Sequence, residues 1–386
     1  MDMDNENFYM LAKTMFGLEE VLAKELEYLG AQNIKILNRA ISFKGDKGFL
    51  YKANLNLRTA LRILKPIATF SARDKNELYE NACKIDWLKY FNINKTFATY
   101  ATTNSENFKH SKYASLVLKD AIADTFRKKV KKRPYVDAKD PQMSINLHIQ
   151  KNTCTISLDS SGQSLHKRGY KSNTVIAPIN EVLAAGLILL SGWDKKSDFH
   201  DPMCGSGTIL TEAAMIAHNI PPNIFRKKFG FQEWKDFDNN LWKKIKEASL
   251  NKEKEYLGKI TGSDNFQKAV RISRKNIENI LFNNEIRIKN EDFFESKAKP
   301  NTFVIFNPPY GQRHNIDINE FYEKISNTLK HKYQGCEVWI ISSDIENLKM
   351  IGLKPTRKIK LQNGSLDCSF RKFEIYSGSK KEKKRY

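Results

Sequence analysis

The sequence predicts an α/β chain whose C-terminal half is a doubly wound sheet ending in an antiparallel hairpin, preceded by two smaller units that mix helix and strand. Three observations predict it. From about Asn173 onward, strand-like apolar runs alternate with helical stretches, the pattern of a mainly parallel sheet covered by helices. Near the C-terminus, KIKLQNGSLDCSFRKFEIY sets Asn363-Gly364 between two alternating runs, a strong hairpin signal. Before residue 161 the strands are short and grouped around amphipathic helices, which divides the chain into residues 1–55, 56–160 and 161–386.

In the first unit, FYMLAK reads as a strand and GLEEVLAKELEYLG as a helix. Leu18, Val21, Leu22, Leu26 and Leu29 recur at helical spacing and Gly30 ends the run. Short strands follow around Ile34–Leu37 and Ala40–Phe43. The result is a small α+β unit.

The second unit holds SKYASLVLKDAIADTFRKKVKKRP, with Ser111 as candidate N-cap and Leu118, Ile122 and Phe126 on one face. The helix runs into Arg127, Lys128, Lys129, Lys131, Lys132 and Arg133 before Pro134 stops it. A cationic last turn suits the helix dipole. Six cations in seven residues exceed that need, and Arg127, Lys128, Lys131, Lys132 and Arg133 are candidate phosphate contacts. Two alternating strands, SINLHIQ and TCTISLD, lead to a basic stretch, HKRGYKS, that reads as a linker or rim.

In the third unit, NEVLAAGLILLSGW is an apolar helix, SDFHD a short polar strand, and TILTEAAMIAHNI a second helix. KITGSD, NTFVIFN and EVWIISSD are strands separated by helical segments. Residues 223–258 form a charged insertion with Trp234 and Trp242 whose role stays open, and the tail SGSKKEKKRY is basic and disordered in composition. No internal repeat is present.

The formal charge of +21, with 44 acidic residues still present, favours a polyanionic partner. A compositional bias toward Lys, Asn and Ile, which can arise without any function, also yields such a charge, so position must decide between the two. The five cysteines lack CxxC spacing or a neighbouring His pair, so neither a zinc site nor a disulfide framework is expected. No run reaches the roughly 18 apolar residues of a membrane span. A metal-free protein of the reducing cytoplasm, with no membrane partner, is the expectation.

Ligands of doubly wound sheets bind beyond the carboxyl ends of the strands. The first such end reads DPMCGSGT, Asp201 to Thr208. Gly205 and Gly207 permit a tight turn and close approach, and the following helix offers free N–H groups to a carboxylate. A Walker-type GKS or GKT is missing, as is GxGxxG. A second strand end reads FNPPYG, where two prolines stiffen the backbone and expose the Pro308 carbonyl beside the Asn307 side-chain oxygen. Alone, this hexapeptide also fits a simple turn.

DPMCGSGT resembles the first motif of S-adenosylmethionine-dependent methyltransferases, and NPPYG resembles their fourth, the amino-group-methylating signature. ITGSD and NEDFF fall between them in the expected order. Together with FKHSKYASLVLKDAIADTFRKK, HKRGY and APINEVLAAGLILLSGW, these motifs make nearly the whole chain similar to the THUMP-domain RNA methyltransferases, most of all to the bacterial 23S ribosomal RNA guanine-N2 group. The resemblance implies a ferredoxin-like first domain, a THUMP RNA-binding domain and a Rossmann-like methyltransferase domain over the three ranges above. It also implies S-adenosylmethionine as cofactor and large-subunit ribosomal RNA, or a pre-ribosomal particle, as partner.

Residue by residue, the resemblance carries cofactor roles to Asp201, Gly205, Gly207 and Thr208, to Asp264 for the ribose with Asn265 beside it, and to Asp292 for the adenine amine. Glu212 lies one turn beyond Thr208, where it either reaches back toward the cofactor ammonium or is an exposed helix acid. The catalytic residues implied are Asn307, Pro308, Pro309 and Tyr310. Asn307 and Pro308 would accept the hydrogens of an exocyclic amine, and Tyr310 would stack the base. Cys204 and Cys336 have no activating partner in sequence and are read as ordinary small residues, which excludes a pyrimidine-C5 mechanism. NPPY does not choose among amines. A transfer RNA guanine-N2 methyltransferase and a catalytically silent ribosome-assembly factor are the competing readings.

Overall fold

A computed structural model describes residues 6–172, 178–280, 283–309 and 318–376. The first elements are β1 (Phe8–Lys13), α1 (Glu19–Leu29), β2 (Gln32–Leu37), β3 (Ala40–Gly45), α2 (Lys47–Asn56) and β4 (Arg62–Ser71). Then come α3 (Lys75–Cys83), β5 (Phe97–Asn104), α4 (Ser111–Val130), β6 (Met143–Gln150) and β7 (Thr153–Asp159). The remainder comprises α5 (Glu181–Ser191), β8 (Phe199–Asp201), α6 (Thr208–Ala217), α7 (Asn239–Leu250), β9 (Ile260–Asp264), α8 (Gln267–Ile277), β10 (Ile286–Asn290), β11 (Phe303–Phe306), α9 (Ile318–Lys332), β12 (Glu337–Ser342), β13 (Arg357–Asn363) and β14 (Leu366–Glu374). The chain forms two compact units, one from 1–14, 23–165 and 226–249, the other from 15–22, 166–225 and 250–386.

The first unit is built on one seven-stranded sheet, β2-β3-β1-β4-β7-β6-β5. Strand β4 joins its halves: Arg62–Leu64 pair with β1, and Leu64–Ser71 pair with β7 around an irregularity at Pro66. A proline has no N–H for the ladder, which accounts for a shift at that point. Met10, Ala12, Phe43, Ile63, Leu147 and Ile156 are buried, as are Leu118, Ile122 and Phe126 of α4. Ser111 is the first residue of α4 and not its cap; His110 occupies the cap position and makes no side-chain capping bond.

Residues 226–249 of the charged insertion belong to this unit. Their charges face outward along α7, while Phe231 stacks on Tyr51 at 4.4 Å and packs edge-on against Trp242 at 5.3 Å. Aromatic pairs of this kind are worth about 0.5–1.5 kcal/mol each beyond simple burial.

The second unit is a doubly wound sheet, β10-β9-β8-β11-β12-β14-β13. The first five strands run parallel and β14 and β13 close the sheet antiparallel, as the sequence predicts. The hairpin loop is Gly364-Ser365, one residue later than Asn363-Gly364, because Asn363 still pairs with Leu366; Gly364 adopts the positive φ the turn needs. All four residues of β11 are buried. Val304 and Phe306 join Val338, Ile340 and residues Tyr322, Ile325 and Leu329 of α9 in one core. On the other face, Phe303 stacks with Phe199 at 6.3 Å, and Trp193 packs on Phe199 at 4.8 Å. Polar as SDFH looks in sequence, β8 is wholly buried. His200 fits there as the neutral imidazole, since burial pushes its pKa down to about 4.

Candidate active site

The order of the parallel strands reverses between β8 and β11, the switch point beyond whose carboxyl ends ligands of such sheets bind. Four loops meet this edge: Asp201–Thr208 after β8, Asp264-Asn265 after β9, Asp292 after β10, and Asn307-Pro308-Pro309 after β11. The parallel registers of these strands bring together residues more than 100 positions apart.

The loop after β8 is locked from below. Asp201 is buried, and its Oδ1 accepts the Met203 N–H at 3.1 Å. Burial holds its carboxyl well above the usual carboxylate range, against that N–H and with help from Asp264. Gly205 and Gly207 both sit at positive φ. A Cβ on Gly207 would lie 2.6 Å from Ser273 Oγ, so glycine is required there twice over. Gly262 on β9 serves α6 in a similar way, since a Cβ would meet Leu210 Cδ1 at 2.4 Å.

Asp264 ties the second loop to the first. Its Oδ2 accepts the Gly205 N–H at 2.9 Å and its Oδ1 the Phe266 N–H at 3.0 Å. Asn290 Nδ2 donates to the Asp264 carbonyl at 2.8 Å, which draws the end of β10 to the same place. Asn265 is exposed beside it. Asp292 is exposed too, and its Oδ1 caps the following turn by accepting the Phe294 N–H at 2.9 Å. Thr208 opens α6 with its hydroxyl 3.3 Å from Ser206 Oγ.

After β11, Asn307 is half-buried, Pro308 buried and Pro309 exposed. Tyr310 lies outside the described residues. Cys204 is buried within the first loop; burial, then the Asp201 and Asp264 carboxylates, push its thiol well up, which disfavours a thiolate nucleophile. Cys336 donates to the Lys299 carbonyl at 3.2 Å and is pushed up to about 11 by burial.

Glu212 is fully buried, so it is not an exposed helix acid. Its Oε1 receives Arg168 Nε at 3.3 Å and the Tyr170 hydroxyl at 3.1 Å. HKRGY is therefore no simple linker: Arg168 and Tyr170 point into the protein, and Arg168 also reaches Asn223 Oδ1 at 3.2 Å. Asn276 of α8 is a second residue the sequence did not single out. It donates to the Ser206 carbonyl at 3.1 Å and accepts the Ser172 N–H at 3.0 Å. Phe266, half exposed beside Asp264, is a third; an aromatic two residues after a strand-end acid was its available signal.

In the other unit, Arg127, Lys128, Lys131, Lys132 and Arg133 are all exposed around the C-terminal end of α4. Arg127 pairs with Asp124 at 2.8 Å. Among the described residues, no group that could hold a metal ion is found and no helix is long and apolar enough to cross a membrane.

Three protein-family models match the chain: an RMKL-like methyltransferase domain over residues 168–372, a THUMP domain over 72–159, and the RlmL ferredoxin-like domain over 9–64. The Synechocystis sp. protein slr0064, named for an RNA methyltransferase activity that is only inferred for it, is 35% identical over 93% of this chain and 95% of its own length. The ribosomal RNA large subunit methyltransferase K/L of Photobacterium profundum is 36% identical over 96% of this chain, which spans only 54% of that longer relative. The crystal structure of SMU.472, a protein assigned as a methyltransferase and complexed with SAH, superposes with a TM-score of 0.86 at 30% identity, covering 97% of this chain and 100% of that one.

Proposed function

Since the chain belongs to the family of THUMP-containing, RMKL-like methyltransferases, we propose that it transfers a methyl group from S-adenosylmethionine to the exocyclic N2 of a guanine in 23S ribosomal RNA. The observation that carries the reading is that the glycine loop, Asp264, Asp292 and Asn307-Pro308 follow four neighbouring strands of one parallel sheet at the same edge, with Asp264 bonded to the Gly205 N–H.

The residues present fit the cofactor. The N–H groups of the glycine loop open α6, where a carboxylate is favoured. Asp264 presents a carboxylate with acceptor capacity left after its two backbone bonds, suited to ribose hydroxyls. The exposed Asp292 is suited to an adenine amine, and the half-exposed Phe266 to its ring face. Asp201 and Thr208 hold the loop from below. Glu212, engaged by Arg168 and Tyr170, anchors α6 from the interior.

The cofactor supplies an electrophilic methyl group on a sulfonium. A guanine N2 is a poor nucleophile because its lone pair is delocalised into the ring. Acceptance of one amine hydrogen by Asn307 Oδ1 and another by the Pro308 carbonyl frees that lone pair and stabilises the positive charge that develops on nitrogen as the N–C bond forms and the methyl–sulfur bond breaks, its electron pair staying on sulfur; the surplus amine proton then passes to solvent. The fixed φ of Pro308 and Pro309 keeps both acceptors in place. Tyr310 is assigned the face on which the base stacks. The basic end of α4 supplies phosphate contacts.

The test is methyl transfer from labelled S-adenosylmethionine to RNA from cells lacking the protein, with nucleosides analysed separately for ribosomal and transfer RNA. Label in N2-methylguanosine of the large ribosomal RNA supports the reading. Label in transfer RNA would move the substrate, and no label with RNA binding retained would leave a silent binder.

A further inference from the structure

Two polar side chains of α8, Ser273 and Asn276, share one helix face beneath the glycine loop, and both are fully buried. Ser273 sets the spacing, since its Oγ leaves no room for a Cβ on Gly207. Asn276 makes a directed contact: its Nδ2 donates to the Ser206 carbonyl at 3.1 Å. At its other end, Oδ1 accepts the Ser172 N–H at 3.0 Å, with Ser172 Oγ 3.4 Å from the same oxygen. A backbone carbonyl only accepts and a backbone N–H only donates, so the two partners fix which way the amide faces. A carboxylate of the same shape could not donate to the first of them.

That bond governs the direction of one peptide unit. The Ser206–Gly207 peptide is held on both sides, its carbonyl by Asn276 and its N–H by the Cys204 carbonyl at 2.8 Å. The Gly205 N–H is taken by Asp264. The Ser206 N–H has no partner among the described residues and, with the first N–H groups of α6, is left to a ligand. Glycine at 207 is the residue that would let this peptide rotate by half a turn. Rotation would turn the Ser206 carbonyl away from the buried Asn276 and toward the ligand side of the loop, placing an acceptor where an anion is to sit.

We infer that Asn276 is a positioning residue for the amino-acid end of the cofactor. By holding the Ser206 carbonyl inward, it keeps the loop a surface of donors for the cofactor's carboxylate. It touches no reacting atom, and the adenosine end, assigned to Asp264, Asp292 and Phe266, does not depend on it. The inference rests on the reading of the glycine loop as the cofactor site.

The test compares two ligands on the full chain by calorimetry: S-adenosylhomocysteine, and methylthioadenosine, which has the same adenosine end and no amino-acid end. Wild-type protein prefers the first, and Asn276→Asp narrows that preference by about tenfold with methylthioadenosine affinity little changed. Asn276→Ala, which removes the donor without burying a charge, narrows it in the same direction. Asn279, on the same helix, donates in a similar way to the Tyr170 carbonyl at 2.9 Å and makes no bond to the loop among the described residues. Asn279→Asp therefore lowers the melting temperature and leaves the preference at its wild-type value. An equal loss for both ligands in the Asn276 variants, an unchanged preference, or a preference that Asn279→Asp narrows as much would each overturn the inference while leaving the methyltransferase reading intact. Wild-type protein that binds neither ligand would remove the cofactor from this loop, and the inference with it.

Discussion

Arg168 Nε and Glu212 Oε1 meet at 3.3 Å with neither side chain exposed. A residue from the stretch that precedes the second unit's first helix is thus tied to α6, the helix that the glycine loop opens into. Removing one partner strands the other charge in the interior. Arg168→Ala is expected to cost about 3–5 kcal/mol in urea unfolding, and Arg168→Ala with Glu212→Gln less than the sum of the two single changes. Additive losses would mean the pair is not coupled.

Gly207 combines a φ of +78° with a Cβ position 2.6 Å from Ser273 Oγ. An L-residue in the left-handed region costs about 1–2 kcal/mol before any clash. Gly207→Ala should therefore lower the melting temperature modestly and weaken S-adenosylmethionine binding by more than tenfold in calorimetry. Unchanged affinity would move the cofactor off this loop.

Asn307→Ala removes an acceptor used only as charge appears on the amine. A fall in kcat of about 10²–10³ is expected, with cofactor affinity unchanged and RNA affinity nearly so. A rise in KM at constant kcat would make Asn307 a binding residue alone.

Neutralising Arg127, Lys128, Lys131 and Arg133 should weaken RNA binding for all sequences alike and reduce the slope of log affinity against log salt by about 3. A slope that does not move would place the phosphate contacts elsewhere.

His200 is buried on β8 with its Nδ1 2.9 Å from Thr261 Oγ1, and burial pushes it down to about 4 from an ordinary value near 6.5. A depressed folded pKa gives stability that is complete above about pH 6.5 and lost as pH falls toward 4, because the unfolded chain takes up the proton first. The full effect is on the order of 3 kcal/mol. His200→Gln should flatten the decline of the melting temperature over that window. A parallel decline in both proteins would show that other groups control acid stability.

The parallel sheet and its hairpin were legible because alternation and turn chemistry are local: FVIF and VWII read as buried strands, and Asn363-Gly364 signals the hairpin, whose loop falls one residue later. The glycine loop and Asn307-Pro308-Pro309 were legible because their backbone demands are written in Gly and Pro. Arg168 was not, since in HKRGY a cation bound for the interior looks like any surface cation until Glu212, 44 positions later, is brought to it. Asn276 was hidden for the same reason, its partners Ser172 and Ser206 being set by tertiary contact alone. Sequence periodicity also could not show that the aromatic side of the charged insertion packs around Tyr51 in the first unit, because nothing local distinguishes that docking from any other.

The most direct test of the central claim is mass spectrometry of nucleosides from the large ribosomal RNA of cells that carry the wild-type chain, Asn307→Ala, or neither. N2-methylguanosine is expected at one position with the wild-type chain and is absent from the other two. The same modification in all three would contradict it.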